Sequence, residues 1–174
     1  TASERNPRGD RQHNLNEALK CYTAALEVCS GQKHSTLWAV LQNNIANVLM
    51  QSGAGDHKAN VEKAIECYSR ALEVYTHQNR RPEWAATQNN LGNAFAHLPA
   101  EGEDRQKNLR RAIASYRAAL EVRTKPLVPH DWATTQNNLG VALSLLSPGA
   151  NDAPLREAID CFQHALEVRT RAQY

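Results

Sequence analysis

The sequence predicts an all-α fold, a solenoid of antiparallel helix pairs with about seven helices, and three observations carry that reading. Ala-Leu-Glu-Val occurs at Ala25 to Val28, Ala71 to Val74, Ala119 to Val122 and Ala165 to Val168, at spacings of 46, 48 and 46 residues. Trp38, Trp84 and Trp132 each stand four residues ahead of Gln-Asn-Asn, at Gln42 to Asn44, Gln88 to Asn90 and Gln136 to Asn138. The two motifs alternate in one phase and define a two-element unit, and self-similarity at tens of residues marks stacked repeats. Third, the apolar residues of both elements recur at three and four residues, the spacing of one helix face.

In chain order, residues 1–13 are polar and read as a flexible N-terminal tail. Residues 14–34 hold the second helix of an incomplete repeat, and three full repeats follow over residues 35–80, 81–128 and 129–174. The second helix is clearest in Leu109, Ala112, Ile113, Tyr116, Ala119 and Leu120, with copies beginning at Leu15, Val61 and Leu155. Asn14, Asn60 and Asn108 stand just before three copies and are the predicted caps; Asn14 with Glu17 has capping-box spacing. The fourth copy starts instead with Asp152 and Pro154.

The first helix of each repeat begins near Trp38, Trp84 or Trp132. At about 100° per residue, Trp84, Gln88, Leu91, Gly92 and Phe95 share one side, while Asn89, Asn90 and Asn93 fall on the other. One face is expected to pack and the other to offer amides. The three tryptophans share the phase of the packing leucines, so they are assigned to the core rather than to an exposed aromatic array. Breaker residues fill the connections, at 52–58, 98–104 and 147–152 and around Pro82, Pro126 and Pro129.

A net charge of +2 from 20 basic and 18 acidic residues, spread without a block, leaves no electrostatic footprint for nucleic acid. No apolar run approaches the roughly 20 residues that cross a bilayer, so no membrane partner and a cytoplasmic setting are expected. Cys21, Cys67 and Cys161 occupy one repeat position, which Ser115 fills in the remaining copy, so they read as reduced packing thiols.

Leu91, Gly92 and Phe95, followed by Ala112, Tyr116 and Ala119, resemble the tetratricopeptide repeat family, whose pattern is W-x2-L-G-x2-Y followed by A-x3-F. Leu139, Gly140, Leu143, Ala158, Phe162 and Ala165 match again, as do Ile45, Ala46, Leu49, Ala64, Tyr68 and Ala71. Ala18, Tyr22 and Ala25 supply half a copy. The resemblance covers residues 14 to 172 and is closest to the long repeats of kinesin light chain and related bacterial arrays. HEAT repeats have a similar length, but the Leu-Gly and Ala-x3-aromatic spacing favours the tetratricopeptide reading. Two departures stand out: the family unit is 34 residues, and Gln88 occupies the usual Trp place. The resemblance implies a right-handed α-solenoid whose first helices line a concave groove for a protein or peptide partner.

Carried over by position, that groove holds Asn43, Asn47, Asn89, Asn93 and Asn137, flanked by Asn44, Asn90 and Asn138, with Val141 breaking the pattern. An asparagine amide both donates and accepts, which suits a peptide backbone. The same amides could instead bond between neighbouring helices, and both readings stand at this stage. Val40, Ala86 and Thr134 occupy the places where a carboxylate clamp would add a basic side chain.

Catalysis has little support. The seven histidines show no paired metal-ligand spacing, and there is no phosphate loop or nucleophile elbow. Cys161 with His164 could touch on one helix, but Cys161 is a packing position. A non-catalytic protein-interaction module without cofactor or metal is the expected function. The alternative is an assembly element of a longer array, self-associating through uncapped end helices as a homo-oligomer. A reader of RNA is disfavoured by the near-identity of the groove positions between repeats.

Overall fold

The computed structural model describes residues 7–29, 35–146 and 152–171. Seven helices run in order: α1 (Pro7–Val28), α2 (Thr36–Gln51), α3 (His57–Ala71), α4 (Arg81–His97), α5 (Gly102–Leu120), α6 (Pro129–Leu145) and α7 (Ala153–Arg171). No strand occurs among the described residues. Two compact units divide the chain, one through Val74 and one from Tyr75.

In the first unit α2 lies against both α1 and α3. Trp38, Leu41, Ile45 and Leu49 of α2 are buried, as are Val61, Ala64, Tyr68 and Ala71 of α3. In the second unit α4 packs on α5, α5 on α6 and α6 on α7, and α4 also touches α6. Each α-helical pair therefore joins a first helix to the second helix of its own repeat, and α5 adds a contact to the next repeat.

Glycine makes the pairs close. A Cβ on Gly92 would sit 2.6 Å from Tyr116 Cε1, and one on Gly140 would sit 2.8 Å from Phe162 Cε1. One edge of the aromatic ring of the second helix thus lies against the bare backbone of the first, and a small residue is required for interior packing at this density. In the first unit the matching residues are Ala46 and Tyr68, both buried.

The helix starts differ from the expected caps. α3 begins at His57 because the Asp56 carboxylate accepts from the Lys58 and Ala59 backbone amides, the former at 2.9 Å. Asn60 lies a turn inside and donates from Nδ2 to the Ala54 carbonyl at 2.8 Å. Asn14 and Asn108 are likewise interior, since α1 starts at Pro7 and α5 at Gly102. At α3 the Asp56 cap thus starts the helix a turn before the apolar residues begin. Helix also replaces the expected tail over residues 7–13, while residues 1–6 lie outside those described. Asp56→Ala is expected to cost about 1 kcal/mol through loss of the cap, measured by urea unfolding.

α4 and α6 need no side-chain cap. Pro82 and Pro129 supply a fixed φ in their first turns, and Arg80 turns the chain into α4 in the left-handed region at φ 56°. On the surface of the second unit Arg117 reaches Glu157 with both carboxylate oxygens at 2.7 Å, and Lys125 pairs with Glu167. Both pairs are exposed, so each contributes at most about 1 kcal/mol.

Candidate functional site

The asparagines of the first helices do not form one uniform face. Asn89 is only 5% exposed, and its Oδ1 accepts from the Thr135 hydroxyl at 3.1 Å and from Asn138 Nδ2 at 3.5 Å. Asn93 Oδ1 accepts from the Tyr116 hydroxyl at 2.8 Å and from Asn138 Nδ2 at 3.1 Å. Arg123 extends the chain of bonds by donating from Nη1 to Thr135 Oγ1 at 3.1 Å. A continuous polar network therefore crosses α4, α5 and α6, from Tyr116 through Asn93, Asn138, Asn89 and Thr135 to Arg123.

This network has a simple cause. Helix α4 has neighbours on two sides, α5 of its own repeat and α6 of the next, so amides placed opposite its leucines meet another helix. Burying them without partners would cost about 1–3 kcal/mol each, and pairing them with each other removes that penalty. Burial also raises the Tyr116 phenol well above its ordinary value, and lowers the Arg123 guanidinium by desolvation. The phenol accordingly stays a neutral donor to Asn93.

The first unit repeats the central contact, with the Tyr68 hydroxyl donating to Asn47 Oδ1 at 2.7 Å. Its phenol is likewise pushed up by burial. In the last repeat the two matching residues are Val141 and Phe162. The acceptor disappears where the hydroxyl disappears. Val141 is therefore the apolar version of an Asn–Tyr pair, and the break in the asparagine series follows from Phe162 on the other helix. This pairing was readable in the sequence as two simultaneous changes at one repeat interval. Thr135, Arg123 and the tyrosine hydroxyls are the network members that the sequence reading left out.

The remaining predicted residues lie nearer the surface. Asn43, Asn44, Asn90 and Asn137 are half-exposed, as are Asn47, Asn93 and Asn138, which also serve the contacts above where stated. Asn137 forms no side-chain hydrogen bond among the described residues. On the same helix Val141 is 44% and Leu145 51% exposed, and Thr134 is exposed a turn earlier. At spacings of three and four residues, Thr134, Asn137, Val141 and Leu145 share one face of α6. α2 carries a related but shorter surface, in which Leu37 and Val40 are exposed beside half-exposed Asn43 and Asn44.

The tryptophans divide. Trp38 is buried, whereas Trp84 and Trp132 are half-buried. The ring of Trp84 meets His77 edge-on with centroids 5.1 Å apart, and Trp132 lies 5.7 Å from the His164 ring with the Lys125 ammonium 5.6 Å above it. Trp84 and Trp132 close the ends of their helix pairs and are less buried than the sequence phase implies. Burial pushes the Cys161 thiol up to about 11, which keeps it protonated near neutrality and unsuited to nucleophilic attack. No group of three or more His, Cys, Asp or Glu side chains able to hold a metal ion occurs among the described residues, and no helix of theirs is long and apolar enough to cross a membrane. Comparison with known proteins finds no family model and no curated protein that matches this chain.

Proposed function

We propose that the chain is a non-catalytic protein-interaction module of the tetratricopeptide kind, which binds an extended peptide or a partner's helix on the exposed face of a first helix, that of α6 in the second unit. The carrying observation is the α6 face, where the unbonded amide of Asn137 lies beside exposed Val141 and Leu145. An amide can pair with a peptide backbone group, and adjacent aliphatics can cover an apolar side chain of the same ligand. Of the eight asparagines read from the sequence as binding residues, seven are half-exposed, and Asn137 is the one this reading places in direct contact with a ligand. Asn47, Asn89, Asn93 and Asn138 serve it indirectly, by fixing the helices.

Such a ligand is recognised by shape and backbone more than by charge, since Thr134 and Val40 stand where a basic clamp residue would be needed for a terminal carboxylate. The test is retention of proteins from lysate on the immobilised chain, read by mass spectrometry, followed by titration of a retained partner against Asn137→Ala/Val141→Asp. The expected result is a loss of affinity of tenfold or more with unchanged helicity and melting temperature. Equal affinity of the variant would overturn the assignment of this face. Self-assembly through end helices makes a different prediction, a mass that rises with concentration.

A further inference from the structure

A cavity of about 340 Å³ opens between α5 and α7 in the second unit. Both helices pack on α6, and their backbones do not meet each other among the described residues, which leaves a furrow between them. Leu143 and Leu146 of α6 line it together with Ile113 of α5, which is 5% exposed. Leu143 stands about 200° round α6 from Val141, so this is a different face from the peptide site. Pockets for small ligands hold about 300–1,000 Å³ and combine a mainly apolar lining with a few polar groups, and the cavity meets both conditions.

Its charged groups are not equivalent. Arg117 donates to both carboxylate oxygens of Glu157 at 2.7 Å, so these two side chains neutralise each other. Arg110, about two turns earlier on α5, lines the cavity without an ion pair or hydrogen bond among the described residues. Its own helix offers it no acid, because the residues three and four positions away are Gln106, Lys107, Ile113 and Ala114. The repeat marks this as a local change. The position of Ala114 is Glu66 in α3 and Asp160 in α7, an acid in both. Of these three helices only α5 replaces the acid by a methyl group, which frees the guanidinium and leaves room at the cavity wall.

We infer that this cavity is a binding site for an aliphatic carboxylate, with Arg110 holding the acid group and Ile113, Leu143 and Leu146 covering the hydrocarbon. A guanidinium presents paired N–H donors that match the two oxygens of a carboxylate. The wall supplies what an exposed arginine lacks by itself, since each CH2 taken out of water favours binding. An inorganic anion would gain nothing from that wall, and an uncharged hydrocarbon would leave Arg110 unused. Two sources share this chemistry, a short fatty acid and the chain end of a peptide that finishes in leucine. For a ligand of about ten non-hydrogen atoms a Kd of about 1 mM is expected. The site does not depend on the α6 face, so either can fail without the other.

Octanoate and N-acetylleucine are the probes, each titrated into the 174-residue chain and followed in methyl NMR spectra. Saturable shifts are expected at Ile113, Leu143 and Leu146 and not at Val141 and Leu145. Tighter binding of octanoate would name a free fatty acid as the ligand, and tighter binding of N-acetylleucine a peptide chain end. Arg110→Gln should weaken binding by about fivefold, the upper end for a solvent-exposed ion pair. Ala114→Glu should weaken it as much, by restoring the acid that α3 and α7 carry. Lys107→Gln, a turn away and outside the cavity lining, should change it by less than about twofold because an exposed charge is screened. All three positions are exposed, so an unchanged melting temperature checks that each variant is folded. The proposal would be overturned by the absence of saturable shifts with both acids, by shifts confined to Val141 and Leu145, or by equal affinity for octanamide and N-acetylleucinamide. Equal losses in Lys107→Gln and Arg110→Gln would overturn it too, by making the attraction one of general charge.

Discussion

Tyr116→Ala is expected to lower the unfolding free energy by about 3–5 kcal/mol, the range found for truncating a large buried aromatic. Tyr116 is 2% exposed, its ring lies on Gly92, and its hydroxyl holds Asn93. Truncation leaves a cavity at the centre of the α4–α5 pair, and it strips the polar network of its terminal donor. A domain is stable by only about 5–15 kcal/mol, so the loss takes a large part of the whole. Urea unfolding followed by circular dichroism measures it directly. A loss below about 1 kcal/mol would show that the ring does not carry the pair.

The second large effect is expected at Gly92. With an added Cβ only 2.6 Å from the Tyr116 ring, something must shift. For Gly92→Ala two terms oppose each other: helix propensity favours Ala by up to about 1 kcal/mol, and displacement of the ring costs energy. The matching Ala46 and Tyr68 of the first unit indicate that one methyl can be accommodated. Gly92→Val adds two more methyl groups against the ring and gains little propensity. A net loss of about 1–3 kcal/mol is expected for it. Comparing melting temperatures of the Ala and Val variants separates these terms, and equal stabilities would place the ring farther from the backbone than described.

The helices were legible in the sequence because each has several independent marks, as in Leu109, Ala112, Ile113, Tyr116 and Ala119 with Pro129 opening the next helix. Their starts were less legible. The apolar pattern locates where packing begins, whereas the capping group can lie a turn upstream, as Asp56 does relative to Val61. The small-against-aromatic contact of Gly92 with Tyr116 could also be read from the repeat pattern. The site was only half legible. A helical wheel places Asn89 and Asn93 opposite Leu91, but it contains no neighbouring helix, so it cannot distinguish solvent from α6. What was present in the sequence was the joint change from Asn93 and Tyr116 to Val141 and Phe162. Only a known contact between the two positions turns that change into a hydrogen bond gained or lost.

Asn93 holds α4 to α5 through Tyr116, so its amide oxygen is committed to the fold rather than to a ligand. A double-mutant cycle of Asn93→Val and Tyr116→Phe in urea tests it most directly. Tyr116→Phe alone should cost about 1 kcal/mol, and Asn93→Val about 1–3 kcal/mol because it strands a buried hydroxyl. Combined, the two changes reproduce the Val141 and Phe162 pair of the last repeat, and the double variant should be more stable than the sum of the single losses allows by about 1 kcal/mol or more. Losses that add to within about 0.3 kcal/mol would contradict the claim and return Asn93 to the surface that meets a ligand.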